Sequence, residues 1–159
     1  MFAAVNLDER VLDLNRLEAS AIVLTPPVPV SLALAEHSHL KPPRQLLTQL
    51  RKVEYKQTIA VLLSLEEHLK GFPSHGGVQL VDDPDLAFIT DNAAKGVSEA
   101  PAITIHLSND ASSILWNEPD LQLVEFATNQ LADQIGTVTP KHSAVKRWRH
   151  AGPVEVFKQ

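Results

Sequence analysis

From Val53 the chain takes up a period of two that holds for thirteen positions. Val53, Tyr55, Gln57, Ile59, Val61, Leu63 and Leu65 fall on one side, and Glu54, Lys56, Thr58, Ala60 and Ser64 on the other. Successive side chains of a strand point to opposite faces, so this is one long strand with a largely apolar face and a mixed one. Such a strand belongs in an antiparallel or mixed sheet that is covered on one side, because a strand buried on both faces would be apolar throughout. The rest of the chain must therefore supply partner strands and something to cover the apolar face.

Both are legible. Gly71-Phe-Pro-Ser-His-Gly-Gly77 is turn chemistry. Short runs at 78–81 and 86–90 flank Asp82-Asp83-Pro84 and predict a hairpin. Ala102-Ile-Thr-Ile-His-Leu107 predicts another strand, and 143–150 a last one, in which Val145, Arg147 and Arg149 alternate with Lys146, Trp148 and His150. Asn117 and Pro119 open a helix that runs to about Ile135, with Leu121, Val124, Thr128, Leu131 and Ile135 as its apolar stripe. Pro42-Pro43 opens a shorter helix carrying Leu46, Leu47 and Leu50, with Arg51 and Lys52 at its C-terminal end. The pattern predicts an α+β fold: a mainly antiparallel sheet of about five strands with helices on one face.

Ahead of this lies a segment of different character. Arg10-Val-Leu-Asp-Leu14 is weakly extended, and Ala21-Ile-Val-Leu24 is a continuous apolar run that reads as a strand buried on both faces. Thr25 ends it, prolines at 26, 27 and 29 forbid further ladder pairing, and Val30–Glu36 reads as a short helix. We therefore expect a leading segment over 1–35 and an α+β domain over 36–159.

Composition excludes several functions. A chain of 159 residues with 44% apolar content can bury a core. A net charge of −5 gives no basis for nucleic acid or an anionic membrane as partner. There is no cysteine, hence no disulfide or thiolate chemistry, which fits a cytoplasmic location. Apolar runs such as Ile59–Leu63 are far too short to span a bilayer. The seven histidines show no metal-ligand spacing, no G-x-S-x-G elbow surrounds Ser112-Ser113, and Glu66-Glu67 and Asp82-Asp83 are neighbours that diverge on a regular element. His106, in mid-strand, reads as a packed histidine.

Two polar clusters stand out. Asp91-Asn-Ala-Ala-Lys95 suits an Asx turn with a solvated lysine. Arg147-Trp148-Arg149 could bind an anion through guanidinium groups beside an indole face, or could be a strand whose tryptophan packs and whose arginines pair with carboxylates.

The order of these segments resembles FAD-dependent amine oxidases of the renalase-like branch. The resemblance is carried by the 21–29 run with its helix, the strand from Val53, Asp91-Asn-Ala-Ala-Lys95 and Lys146-Arg-Trp-Arg-His-Ala151, covering about residues 11–151. It implies that the 21–36 stretch is the crossover from a cofactor domain, with Thr25, Pro26 and Pro27 on the cofactor side. It further implies that Asn92 and Lys95 face the flavin and that Arg147 and Trp148 help bind a small-molecule substrate, an amine or a dihydronicotinamide. The G-x-G-x-x-G turn that holds FAD in that family is absent, and so is its closing Gly-Asp segment. The chain therefore reads as the substrate-binding region of such an enzyme, inactive alone or served by a flavin-domain partner chain. The alternative is a non-enzymatic binding or assembly module that keeps the sheet without the flavin. Under either reading an unpartnered strand at 21–24 implies a homo-oligomer.

Overall fold

The computed structural model describes residues 20–38 and 42–155. The chain divides into two compact units, Met1–Lys41 and Pro42–Gln159.

Among the described residues of the first unit a helix, α1, spans Val28–His37. Pro27 caps it, the Ser31 N–H donates to the Pro27 carbonyl at 3.0 Å, and the Ser31 hydroxyl donates to the Pro26 carbonyl at 2.9 Å. The helix runs across position 35, where the sequence alone placed the boundary. The expected strand at Ala21–Leu24 is not formed. These residues belong to no strand, and Ile22 is 76% exposed. An apolar run becomes a buried strand only where neighbours offer ladder partners on both sides, and none of the described strands pairs with it. The weak segment at 10–14 lies outside the described residues.

The second unit begins with α2, Arg44–Leu50, which buries no side chain; Leu46 is exposed. Five strands follow: β1 Tyr55–Leu65, β2 Gly77–Gln79, β3 Leu86–Asp91, β4 Ala102–Leu107 and β5 Pro140–Pro153. They form one antiparallel sheet, as the sequence predicts, and its strand order is β2-β3-β4-β1-β5. Asp83 makes the β2–β3 connection, its Oδ1 accepting from the backbone of Asp85 and Leu86 at 2.9 and 2.8 Å.

Register assigns every strand residue to a face. Val61 opposes Ile105 on one side and Val145 on the other, and Ile89 opposes Ile105. That face carries the core: Ile59, Val61, Leu63, Ile89, Ile103, Ile105 and Leu107 are buried there. It is covered by α3, Asn109–Ile114, and α4, Asp120–Ile135, through Ala111, Leu123, Ala127 and Leu131.

Two features of the helices depart from expectation. The short α3 was not predicted; its signal is Ser108, whose Oγ accepts from the Ala111 N–H at 3.0 Å and donates to the Pro84 carbonyl. In α4 Val124, Leu131 and Ile135 of the expected stripe pack against the core, but Leu121 does not. The buried residues are Leu123, Ala127 and Leu131, spaced by four, whereas Leu121 is 78% exposed. Two residues on a helix are separated by about 200° of rotation, so Leu121 and Leu123 cannot both face the sheet. Arg147 of β5 fixes the choice at the start of α4: its Nε donates to the Trp116 carbonyl at 3.0 Å, Nη1 to Asp120 Oδ1 at 2.6 Å and Nη2 to the Glu118 carbonyl at 2.6 Å.

Candidate functional site

Cross-strand partners share a face, so the side of the sheet away from α3 and α4 can be read from the register. Phe88 opposes His106, His106 opposes Ala60, and Ala60 opposes Lys146, forming one row across four strands. The next row runs Thr90, Thr104, Leu62 and Ala144. On β5, Trp148 opposes Thr58 and lies two residues beyond Lys146, with 57% of its surface exposed. A bulge follows, since Lys56 and Thr58 oppose Gly152 and Trp148. Bulges raise local twist and re-aim side chains, and this one sits directly after the tryptophan.

Phe88 and His106 meet edge to face with centroids 6.2 Å apart at 74°. The Phe88 ring also lies over Gly77, where an added Cβ would come within 3.3 Å of it. Burial pushes the His106 imidazole below its ordinary value of 6.5, so the ring is neutral at pH 7. Among the described residues neither ring nitrogen of His106 has a hydrogen-bond partner, and neither the Lys146 ammonium nor the Trp148 indole N–H has one.

The lowered His106 value has a measurable consequence. Below pH 6.5 the unfolded chain takes up a proton at this position that the folded chain refuses, so stability falls as pH drops from 6.5 to the lowered native value. Above 6.5 the group contributes no slope. Urea unfolding at about pH 7.5 and about pH 5.5 checks this: His106→Gln should shrink the loss seen in the parent protein, and an unchanged loss would assign it elsewhere.

Within the second unit the residues singled out by sequence are not gathered in one place. Asn92 joins this face, its Nδ2 donating to Thr104 Oγ1 at 3.1 Å. Lys95 is exposed in the turn that follows, its stem against Gly76, a glycine at φ 72° whose added Cβ would lie 2.5 Å from Lys95 Cγ. The turn is an Asx turn: Asp91 Oδ1 accepts from the backbone of Ala93 and Ala94 at 2.9 and 3.0 Å. Arg147 and Trp148 point to opposite faces of β5. The Arg147 guanidinium is spent on Trp116, Glu118 and Asp120, while Arg149 stacks 5.7 Å over the Trp116 ring on the helix side. Thr25, Pro26 and Pro27 belong to the first unit.

Sequence reasoning passed over His106, Phe88 and Lys146 as site residues. The signal was the alternation itself: Thr104 and His106 are the polar positions between Ile103, Ile105 and Leu107. A separate cavity of about 350 Å³ lies between residues 65–70 and 135–139. It includes none of these groups, and Glu67 and Lys70 on its rim pair at 3.7 Å across exposed side chains. Among the described residues no three His, Cys, Asp or Glu side chains converge as a metal site, and no helix is long and apolar enough to cross a membrane.

No protein-family model and no curated protein matches this chain. Among solved structures, it is similar to a candidate protoporphyrinogen oxidase from Exiguobacterium sp. 255-15, with a TM-score of 0.61 at 16% identity over 82% of this chain. The PF1083 protein from Pyrococcus furiosus matches over 66% of the chain and 26% of its own length with 18% identity, at a TM-score of 0.41, too low to bear on the fold. The chain spans 29% of the length of the candidate oxidase, and what it shares with that protein is the fold.

Proposed function

We propose that this chain is the substrate-binding region of a flavin-dependent oxidoreductase of the renalase-like kind, acting on dihydronicotinamide-type compounds or amines. The observation that carries the reading is the sheet face turned away from α3 and α4. It holds an exposed indole, an edge-to-face Phe88–His106 pair with a neutral, unpartnered imidazole, and the Asn92–Thr104 amide–hydroxyl pair. Planar substrates are held by such faces, with the aromatic rings supplying contact area and a few polar groups fixing orientation. The likeness to part of a candidate oxidase supports the same reaction class. When bound, a flavin would supply hydride acceptance. The residues here would position the substrate: Trp148 against its ring, His106 and Asn92 on its polar substituents.

The described residues do not fit the flavin's own pyrophosphate. That group is held by open backbone amides at a glycine-rich helix start. α1 instead begins with Pro27 and Pro29, which have no N–H, and the Ser31 N–H is already donated to Pro27. No step through the flavin is assigned to this chain.

The test uses the chain alone in a Trp116→Phe background, which leaves Trp148 as the sole tryptophan. Titration with the uncharged 1-benzyl-1,4-dihydronicotinamide should give saturable energy transfer from Trp148, weakened several-fold by His106→Ala. FAD added to the same sample should keep its free fluorescence. Absence of transfer from a folded protein would remove the reading; saturable FAD binding would overturn the cofactor assignment.

A further inference from the structure

Charge is not spread evenly over this molecule. The chain holds 19 Asp and Glu against 14 Lys and Arg. Yet across the five strands, all of them described, Asp91 is the one carboxylate, while Lys56, Lys141, Lys146, Arg147 and Arg149 are all strand residues. Asp91 opposes Ile103, so it lies on the helix-covered side, where its Oδ1 accepts from the turn at 93–94. The face turned away from α3 and α4 thus has no acidic strand position. Its strand charges are the ammonium groups of Lys56 and Lys146, neither of which has a hydrogen bond or ion pair among the described residues, and Glu54, just ahead of β1 on the Lys56 side, lies at the end of the strand away from Ala60. The one arginine next to Trp148 that is ion-paired, Arg147, meets its carboxylate on the opposite side.

Given the proposed substrate face, on which this inference rests, we infer that its ligand is a planar aromatic compound bearing an anionic group. The anion sits at Lys146, and the ring lies between Trp148 and the Phe88–His106 pair. Lys146 and His106 flank Ala60 from the two neighbouring strands, so their backbone positions are about 10 Å apart, a span that one ring system with one substituent can bridge. A cationic amine at Lys146 would meet an unpaired ammonium with no strand carboxylate on that face to offset it, which makes amines the disfavoured half of the substrate range. Edge-strand lysines also discourage strand pairing, and that role would be indifferent to ligand charge.

The experiment compares two ligands that share a ring and differ in charge, 2-naphthoate and 2-naphthylmethylammonium, by Trp148 fluorescence in the Trp116→Phe protein. Naphthoate should bind at least about fivefold more tightly, with the preference shrinking at high salt. Lys146→Gln, at an exposed edge position that leaves the unfolding midpoint in place, should abolish the preference, and Lys146→Arg, which keeps the charge, should retain it. Equal or tighter binding of the ammonium ligand, or a preference that survives Lys146→Gln, would overturn the inference. If the dihydronicotinamide still binds in that event, the substrate-face reading stands without it; if no ring compound binds, both fall.

Discussion

Leu123→Ala is expected to destabilise the protein by about 2–5 kcal/mol, and Leu121→Ala by less than about 0.5 kcal/mol. Leu123 is fully buried against the sheet together with Ala127 and Leu131, so truncation removes apolar contact and leaves a cavity that the strands below cannot collapse to fill. Leu121 is mostly in solvent and loses nothing comparable. Thermal unfolding separates the two cleanly, since about 1 kcal/mol moves the midpoint of a chain this size by roughly 2–4 °C. Equal losses would mean that α4 is rotated from the orientation described, and with it the assignment of Arg147 to the helix side.

Ser112→Ala should cost about 1–3 kcal/mol although it removes a single oxygen. Ser112 is fully buried in α3, and its Oγ accepts the Ile59 N–H of β1 at 3.0 Å. Ile59 is itself fully buried just past the β1–β5 register shift between Lys56 and Thr58, where the ladder is interrupted. Without the hydroxyl this amide has no acceptor and no access to bulk water, and the full desolvation penalty falls due. The neighbouring Ser113 is exposed, so Ser113→Ala is the control and should change the urea midpoint little. A Ser112→Ala protein as stable as the parent would show that another acceptor serves Ile59.

How far the sequence carries can be seen residue by residue. The strand from Val53 declared its two faces through alternation alone, and the β2–β3 hairpin followed from Asp83-Pro84, because strand pleat and turn chemistry are local properties. In α4 the core-facing Val124, Leu131 and Ile135 were legible, and Leu121 was misplaced for the opposite reason. Several apolar residues allow more than one rotation of a helix, and Arg147, distant in sequence, selected one by binding Asp120 and the Glu118 carbonyl. The same arginine was a candidate for substrate on residue type, and its geometry turned it into a clamp. Asn92 and Lys95 are three residues apart, yet one is hydrogen-bonded to Thr104 on the face away from α3 and α4 and the other is solvated at the turn.

What the sequence determined by itself is the α+β class, the antiparallel sheet of five strands and its covering on one side, since periodicity, proline and turn residues act over a few positions. What the tertiary structure decided is which residues meet. Phe88, His106, Ala60 and Lys146 come from four strands and form one row only through register, and Ala21–Leu24, apolar as it is, belongs to no strand among the described residues. Pairing across long sequence separations is set by the mutual burial of whole faces, which no single segment encodes.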